Sequence, residues 1–148
     1  MDAATGIREL QPGEEAACAA ILTRAWNAAM PSQPRFVNAQ QFLVETEGER
    51  VFVAHRTSEI SGFVSIWMPD AFVHHLYVDP RYQRQGMGAA LLANAARIAD
   101  GMELSLKCQT ENENALHFYQ TLGFVEAGEQ GDGEFGRWVR LKAPGAKA

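Results

Sequence analysis

Val78-Asp79-Pro80-Arg81-Tyr82-Gln83-Arg84-Gln85-Gly86-Met87-Gly88 runs straight into a segment with helical periodicity. The residues up to Val78 read as a strand. A loop then delivers Gly86 and Gly88 to the start of a helix. Glycine there lets the backbone approach a ligand without interference from a Cβ. The first N–H groups of a helix have no internal partners and lie at the positive end of its dipole. Such a place holds a phosphate, so the expected ligand is a pyrophosphate-bearing cofactor. Two familiar phosphate loops do not fit. A Walker A loop ends in Gly-Lys-Ser/Thr, whereas Gly88 is followed by Ala89 and Ala90. The dinucleotide fingerprint needs a third glycine in its Gly-x-Gly-x-x-Gly frame, where this chain has Leu91.

The pattern that fits is Gln/Arg-x-x-Gly-x-Gly/Ala, matched by Gln83-Arg84-Gln85-Gly86-Met87-Gly88. Downstream stands a second block, Asn112-x-x-Ala115-x-x-x-Tyr119-x-x-x-Gly123-Phe124, with strand-like Leu104-Ser105-Leu106-Lys107-Cys108 between the two. Leu76-Tyr77-Val78-Asp79-Pro80 precedes the loop. Together these resemble the acetyl-coenzyme A loop and C-terminal motif of the GNAT superfamily of N-acetyltransferases. The loop alone is a loose pattern; the second block at this spacing makes it specific. The resemblance covers residues 72–125.

Composition sets the outer limits. At 148 residues the chain makes one domain with room for a core. Hydrophobic residues at 47% and charged residues at 21% are ordinary for a soluble globular protein. Its apolar runs fall short of the roughly 20 residues that span a membrane, and the N-terminus lacks a basic-then-apolar signal. Cys18 and Cys108 are too few for a disulfide framework and have no metal spacing. These features predict a reduced, cytoplasmic protein with no membrane partner and no metal. A net charge of −5 argues against a nucleic-acid surface and mildly favours a cationic amine. A homodimer is compatible with the sequence.

Along the chain, Gly6–Leu10 reads as a strand. Pro12 starts a helix that continues from Ala16 to Asn27, with Glu14 and Glu15 in its first turn. Asn38 caps a second helix, 39–45, with Phe42 and Leu43 as its buried residues. Residues 50–55 and 60–67 alternate as a hairpin around Thr57-Ser58-Glu59. Strand 72–78 follows. Helix 86–100 places Met87, Leu91, Ala95 and Ile98 on one face and ends at Gly101. Then come strand 102–108, helix 114–122 and a final hairpin of 124–127 with 135–141. The domain is expected to occupy 1–142, with 143–148 a disordered tail. The fold class is α/β (α+β): a mixed sheet of six to seven strands flanked by four helices, with a parallel step between strands 72–78 and 102–108.

The resemblance implies that these two parallel strands splay apart and hold the acetyl-pantetheine arm of acetyl-CoA. The arm would run along Leu76, Tyr77 and Val78, with Leu76 and Val78 supplying backbone hydrogen bonds. Arg84, Gln85, Gly86, Met87, Gly88 and Ala89 would hold the pyrophosphate. Asn112 matches a residue that hydrogen-bonds the pantetheine. A helix cap is its other reading, although Asn114 is the better-placed cap. Tyr119 stands where the family has a general acid that protonates the departing thiolate, which suits a phenol with a pKa of about 10. The other reading of Tyr119 is a core aromatic.

An amine acceptor is mostly protonated at neutral pH, so a base is needed. His74, four residues before Val78, matches a base position of some relatives. His75 is the alternative, since neighbours on a regular strand face opposite sides and a bulge would change the facing. Lys107 stands where other relatives have a Glu base and is a poor substitute. Cys108 would allow an acetyl-cysteine route, but a small buried apolar residue is the stronger reading. Trp26, Phe36, Trp67 and Met68 fall in the segments that usually wall the acceptor site. The expected activity is acetyl-CoA-dependent transfer to a primary amine in a ternary complex. The competing class is a non-catalytic acyl-CoA-binding or interaction module.

Overall fold

The strands that lead into the two motifs lie side by side at the centre of one seven-stranded sheet. A computed structural model describes residues 6–144. Its elements are β1 (Gly6–Glu9), α1 (Glu15–Ala29), α2 (Ala39–Glu45), β2 (Arg50–Arg56), β3 (Glu59–Trp67), β4 (Phe72–Val78), α3 (Met87–Ala99), β5 (Ser105–Gln109), α4 (Glu113–Thr121), β6 (Val125–Gly133) and β7 (Gly136–Lys142). The sheet order is β1-β2-β3-β4-β5-β7-β6. Every neighbouring pair is antiparallel except β4 and β5, which α3 connects in parallel. No helix among the described residues is long and apolar enough to cross a membrane.

Side-chain alternation along the strands divides the core in two. Phe52, Ala54, Val64 and Ile66 pack with Leu91 of α3, Leu106 of β5 and Tyr119 of α4 on one face. Val51, Val53 and Phe63 pack with Ile21, Leu22 and Trp26 of α1 and Phe42 of α2 on the other. The sheet is therefore covered by α3 and α4 on one side and by α1 and α2 on the other.

Four local expectations are corrected. Pro12 and Gly13 form a turn, and α1 begins only at Glu15. Glu14 sits at the cap, where its carboxylate accepts from Gln11 N at 2.8 Å and from Arg8 at 2.7 and 2.9 Å. In α2 only Phe42 is buried; Leu43 is 47% exposed. β5 starts at Ser105 rather than at residue 102, because Met102 N bonds back to Ala99 O at 3.2 Å and closes the end of α3. Ala143, placed in the expected tail, donates to Leu104 O at 2.9 Å, while residues 145–148 of that tail lie outside the described residues.

Candidate active site

β4 and β5 pair at only two positions, Phe72↔Ser105 and Val73↔Leu106. Beyond them β4 stays bonded to β3 as far as Val78↔Gly62, and β5 stays bonded to β7 as far as Gln109↔Trp138. The two strands therefore part. Past Val73 the β5-facing edge of β4 has no sheet partner among the described residues, a splay of the kind that the family resemblance implied. Leu76, Tyr77 and Val78 lie along that edge. Unpaired backbone groups of this kind are available to an extended ligand.

At the end of β4 the chain turns through Asp79–Gln85 into α3. Gly86 occupies the N-cap with φ +80°, makes no side-chain cap, and a Cβ added to it would meet nothing within 4 Å. Left-handed backbone and open space together explain a glycine here. Arg84 also has positive φ, at 66°. α3 has no acidic residue in its first turn, so no carboxylate of its own occupies the helix-start amides around Met87, Gly88 and Ala89. The Met87 side chain itself is buried in the core. Gly88 has a different role from Gly86: a Cβ there would lie 3.1 Å from Cζ of Phe118, so it permits α3 and α4 to pack closely. Gln85 accepts from Arg56, and Gln83 Nε2 donates to Val78 O at 3.0 Å, which ties the loop to the sheet.

α4 brings Tyr119 to the splay. The residue is 8% exposed, and burial pushes its phenol far above the ordinary value, with Cys108 and Tyr77 adding to the rise. Tyr119 thus lies among groups from both diverging strands, Tyr77 on β4 and Cys108 on β5. Burial also pushes Tyr77 and Cys108 up to about 12, so the phenol and the thiol keep their protons at neutral pH. Asn112 rather than Asn114 caps α4, with Oδ1 accepting from Ala115 N at 3.2 Å. Its Nδ2 is not needed for that bond and is free to donate.

The two histidines are not on opposite faces. Register between β3 and β4 shifts at Ser65/Ile66, so His74 is an extra residue in β4. The bulge brings the imidazoles together, with ring centroids 3.9 Å apart. His74 is partly exposed, and its Nδ1 lies 2.6 Å from Glu49 Oε2. His75 is buried: Nδ1 lies 2.7 Å from Ser65 Oγ and Nε2 lies 3.1 Å from Glu45 Oε1. Burial lowers the His75 pKa against the opposing pull of Glu45. The Glu45 carboxyl is held down to about 2, chiefly by His75, against burial and with help from Gln41 and Arg35. Arg35 completes the row, 2.5 Å from Glu45 Oε2.

The same face is walled from several directions. Arg35 stacks on Trp26 and Phe135 at 5.3 and 4.7 Å, and Trp26 meets Phe135 edge-on at 5.0 Å. Ser32 Oγ bonds to Glu111 Oε2 at 2.5 Å, linking the α1–α2 connection to the start of α4. Lys107 places Nζ 4.1 Å from the Trp138 ring centroid. Phe36 and Trp67, by contrast, are 81% and 41% exposed. Arg35, Glu45 and Glu49 escaped the sequence reading, because nothing in their local pattern marks them as neighbours of β4.

Residues 16–124 match the model of the Acetyltransferase (GNAT) family. The chain belongs to this family. Among its GNAT relatives, it is similar to the L-amino acid N-acyltransferase MnaT of Escherichia coli K12, 31% identical over 106 residues, covering 64% of this chain and 62% of that protein. It is also similar to the [ribosomal protein bS18]-alanine N-acetyltransferase of the same strain, 30% identical over 99 residues, covering 60% of this chain and 65% of that protein. The matched stretches thus span less than two thirds of these relatives. The fold matches the crystal structure of the PaiA N-acetyltransferase from Thermoplasma acidophilum in complex with coenzyme A, with a TM-score of 0.77 at 18% identity over 95% of this chain and 99% of that one.

Proposed function

We propose that this GNAT protein is an acetyl-CoA-dependent N-acetyltransferase that passes the acetyl group directly to a primary amine while both substrates are bound. One observation carries the reading: the buried Tyr119 packs in one cluster with Val73 of β4 and Cys108 of β5, two parallel strands that part immediately after Val73. The pyrophosphate would rest on the loop from Arg84 to Ala89. The pantetheine would extend along Leu76–Val78, with Asn112 Nδ2 as a further donor. Fixing thioester and amine together converts a bimolecular attack into an oriented one. A backbone N–H near Leu76 would polarise the thioester carbonyl. Tyr119 would give its proton to the departing thiolate, a basic leaving group that a phenol can protonate.

Direct transfer is favoured over an acetyl-cysteine intermediate because Cys108 is buried and its thiol is raised to about 12, which leaves little thiolate to attack. His74 is the better placed base. The bond from Nδ1 to Glu49 leaves Nε2 without a hydrogen-bond partner among the described residues, whereas both nitrogens of His75 are engaged. The acceptor is an amine; the names of the relatives above, an L-amino acid N-acyltransferase and a [ribosomal protein bS18]-alanine N-acetyltransferase, supply amino acids and a ribosomal-protein alanine as the first two classes to try. Thiol release from acetyl-CoA against a panel of amines, amino acids and peptides tests the proposal. Coenzyme A binding without thiol release to any acceptor would favour the acyl-CoA-binding module instead.

A further inference from the structure

The bulge at His74 assembles a second constellation. His74 Nδ1 lies 2.6 Å from Glu49 Oε2, and His75 Nδ1 lies 4.0 Å from Glu49 Oε1. One donor atom from each of the three residues lies within 4.8 Å of the others. Imidazole nitrogen and carboxylate oxygen bind Zn²⁺ at roughly 2.0–2.2 Å, which sets neighbouring donors roughly 3–3.5 Å apart. Side-chain adjustments of about an ångström would close the present arrangement onto an ion.

Glu49 supplies an independent reason to expect one. Its side chain is only 8% exposed, and Oε1 is buried with no hydrogen-bond partner among the described residues. A buried carboxylate oxygen without a partner is costly and calls for an explanation such as a bound cation. His75 is also prepared as a ligand. Its Nε2 points a proton at Glu45, which is itself paired with Arg35. That carboxylate–histidine arrangement fixes the tautomer and leaves the Nδ1 lone pair for a metal. Ser65 Oγ now donates to that lone pair, and an ion would displace it.

We propose that Glu49, His74 and His75 form a site for a single first-row divalent cation of the Zn²⁺ class. Two imidazoles and one carboxylate suit Zn²⁺, Co²⁺ or Ni²⁺, whereas Mg²⁺ and Ca²⁺ prefer all-oxygen shells. The partly exposed side of His74 gives the ion a way in and leaves a position for water. Binding does not depend on the acetyltransfer reading. Its consequence does: coordination through His74 Nδ1 keeps the ring proton on Nε2 and removes the proposed base, so the ion inhibits.

The test uses untagged, metal-free protein titrated with Co²⁺ and then with Zn²⁺. Wild type should take one equivalent of Co²⁺ with visible d–d absorption, which one equivalent of Zn²⁺ abolishes and excess Mg²⁺ does not. Glu49→Gln, which preserves shape, and His74→Ala, at a partly exposed position, should each weaken binding at least about tenfold, with far-UV circular dichroism confirming the fold. The proposal is overturned if wild type takes up no stoichiometric ion, or if either variant binds as tightly as wild type.

Discussion

Arg24 of α1 places Nη2 2.6 Å from Oδ2 of Asp79, the fully buried residue that follows β4 and opens the loop to α3. Arg81 reaches the same carboxylate with its amide at 3.0 Å and its guanidinium at 2.9 Å. One acid therefore fixes the α1 helix and the root of the loop together. Asp79→Asn keeps the shape but loses the charge-assisted part of these bonds. The expected loss is about 2 kcal/mol of unfolding free energy, read by urea denaturation.

The same pair predicts a pH window. Burial alone would raise the Asp79 carboxyl, but Arg81 and Arg24 outweigh it and hold it at about 2, against about 3.9 in an unfolded chain. A depressed pKa contributes stability above the unfolded value and loses it as pH falls through the folded one. Wild type and Asp79→Asn should therefore differ most above pH ~4 and converge as pH approaches ~2. A difference that stays constant down to pH ~2 would mean that the carboxylate charge is not the stabilising element.

Substitutions at Gly86 and Gly88 are expected to separate ligand binding from packing. Gly86→Val puts a branched side chain on a backbone with φ +80° and into the open space over the start of α3. Coenzyme A affinity should fall by at least about 2 kcal/mol, the size of a lost charge-assisted bond. Gly88→Ala instead presses on Phe118. It should cost about 1 kcal/mol or more of stability from overpacking and affect affinity only through that shift. Calorimetry and thermal unfolding on both variants distinguish the two roles.

Much of this site is local in sequence and therefore legible there. Strand, glycine loop and helix start occupy one unbroken stretch from residue 72 to 90, and the Asn112-to-Tyr119 spacing fits within one helix and its cap. The surroundings of His74 and His75 are different. Arg35 and Glu45 come from the α1–α2 connection and α2, Glu49 from the turn after it, and only tertiary packing brings them to β4. No period relates them. The bulge is hidden for a similar reason: an extra residue is defined by the partner strand, here Ser65 and Ile66, and Phe72–Val78 alone reads as regular alternation. The cap of α4 turned on where the preceding strand releases the chain, which two nearby asparagines could not reveal.

Tyr119→Phe should leave the fold and coenzyme A affinity intact. The hydroxyl has no hydrogen-bond partner among the described residues, so its loss leaves nothing orphaned. Turnover of an amine should fall by roughly 10²–10⁴-fold, the usual worth of a positioned general acid. Steady-state rates at saturating acetyl-CoA, beside a binding isotherm, check this. A wild-type rate in the variant would reduce Tyr119 to a core aromatic.

His74→Ala and His75→Ala should both lose stability but differ in rate. Assays belong in chelator, so that no ion occupies either ring. His74 is partly exposed and bonded through Nδ1 to Glu49 alone. Its removal should lower kcat by about 10²-fold or more if Nε2 accepts the amine proton, and should cost about 1–3 kcal/mol of stability as well, because the nearly buried Glu49 carboxylate loses its hydrogen bond to the ring. His75 is 4% exposed and bridges Ser65 to Glu45. Removing it leaves a hydroxyl and a carboxylate oxygen short of partners inside the protein, which should cost about 2–3 kcal/mol of stability. Measuring kcat and unfolding on both variants decides the assignment. If the His75 variant is stable but slow while the His74 variant is unaffected, the proton passes through the buried ring. If both turn over at the wild-type rate, it leaves by water, and the His74–Glu49 pair acts only in holding the ion.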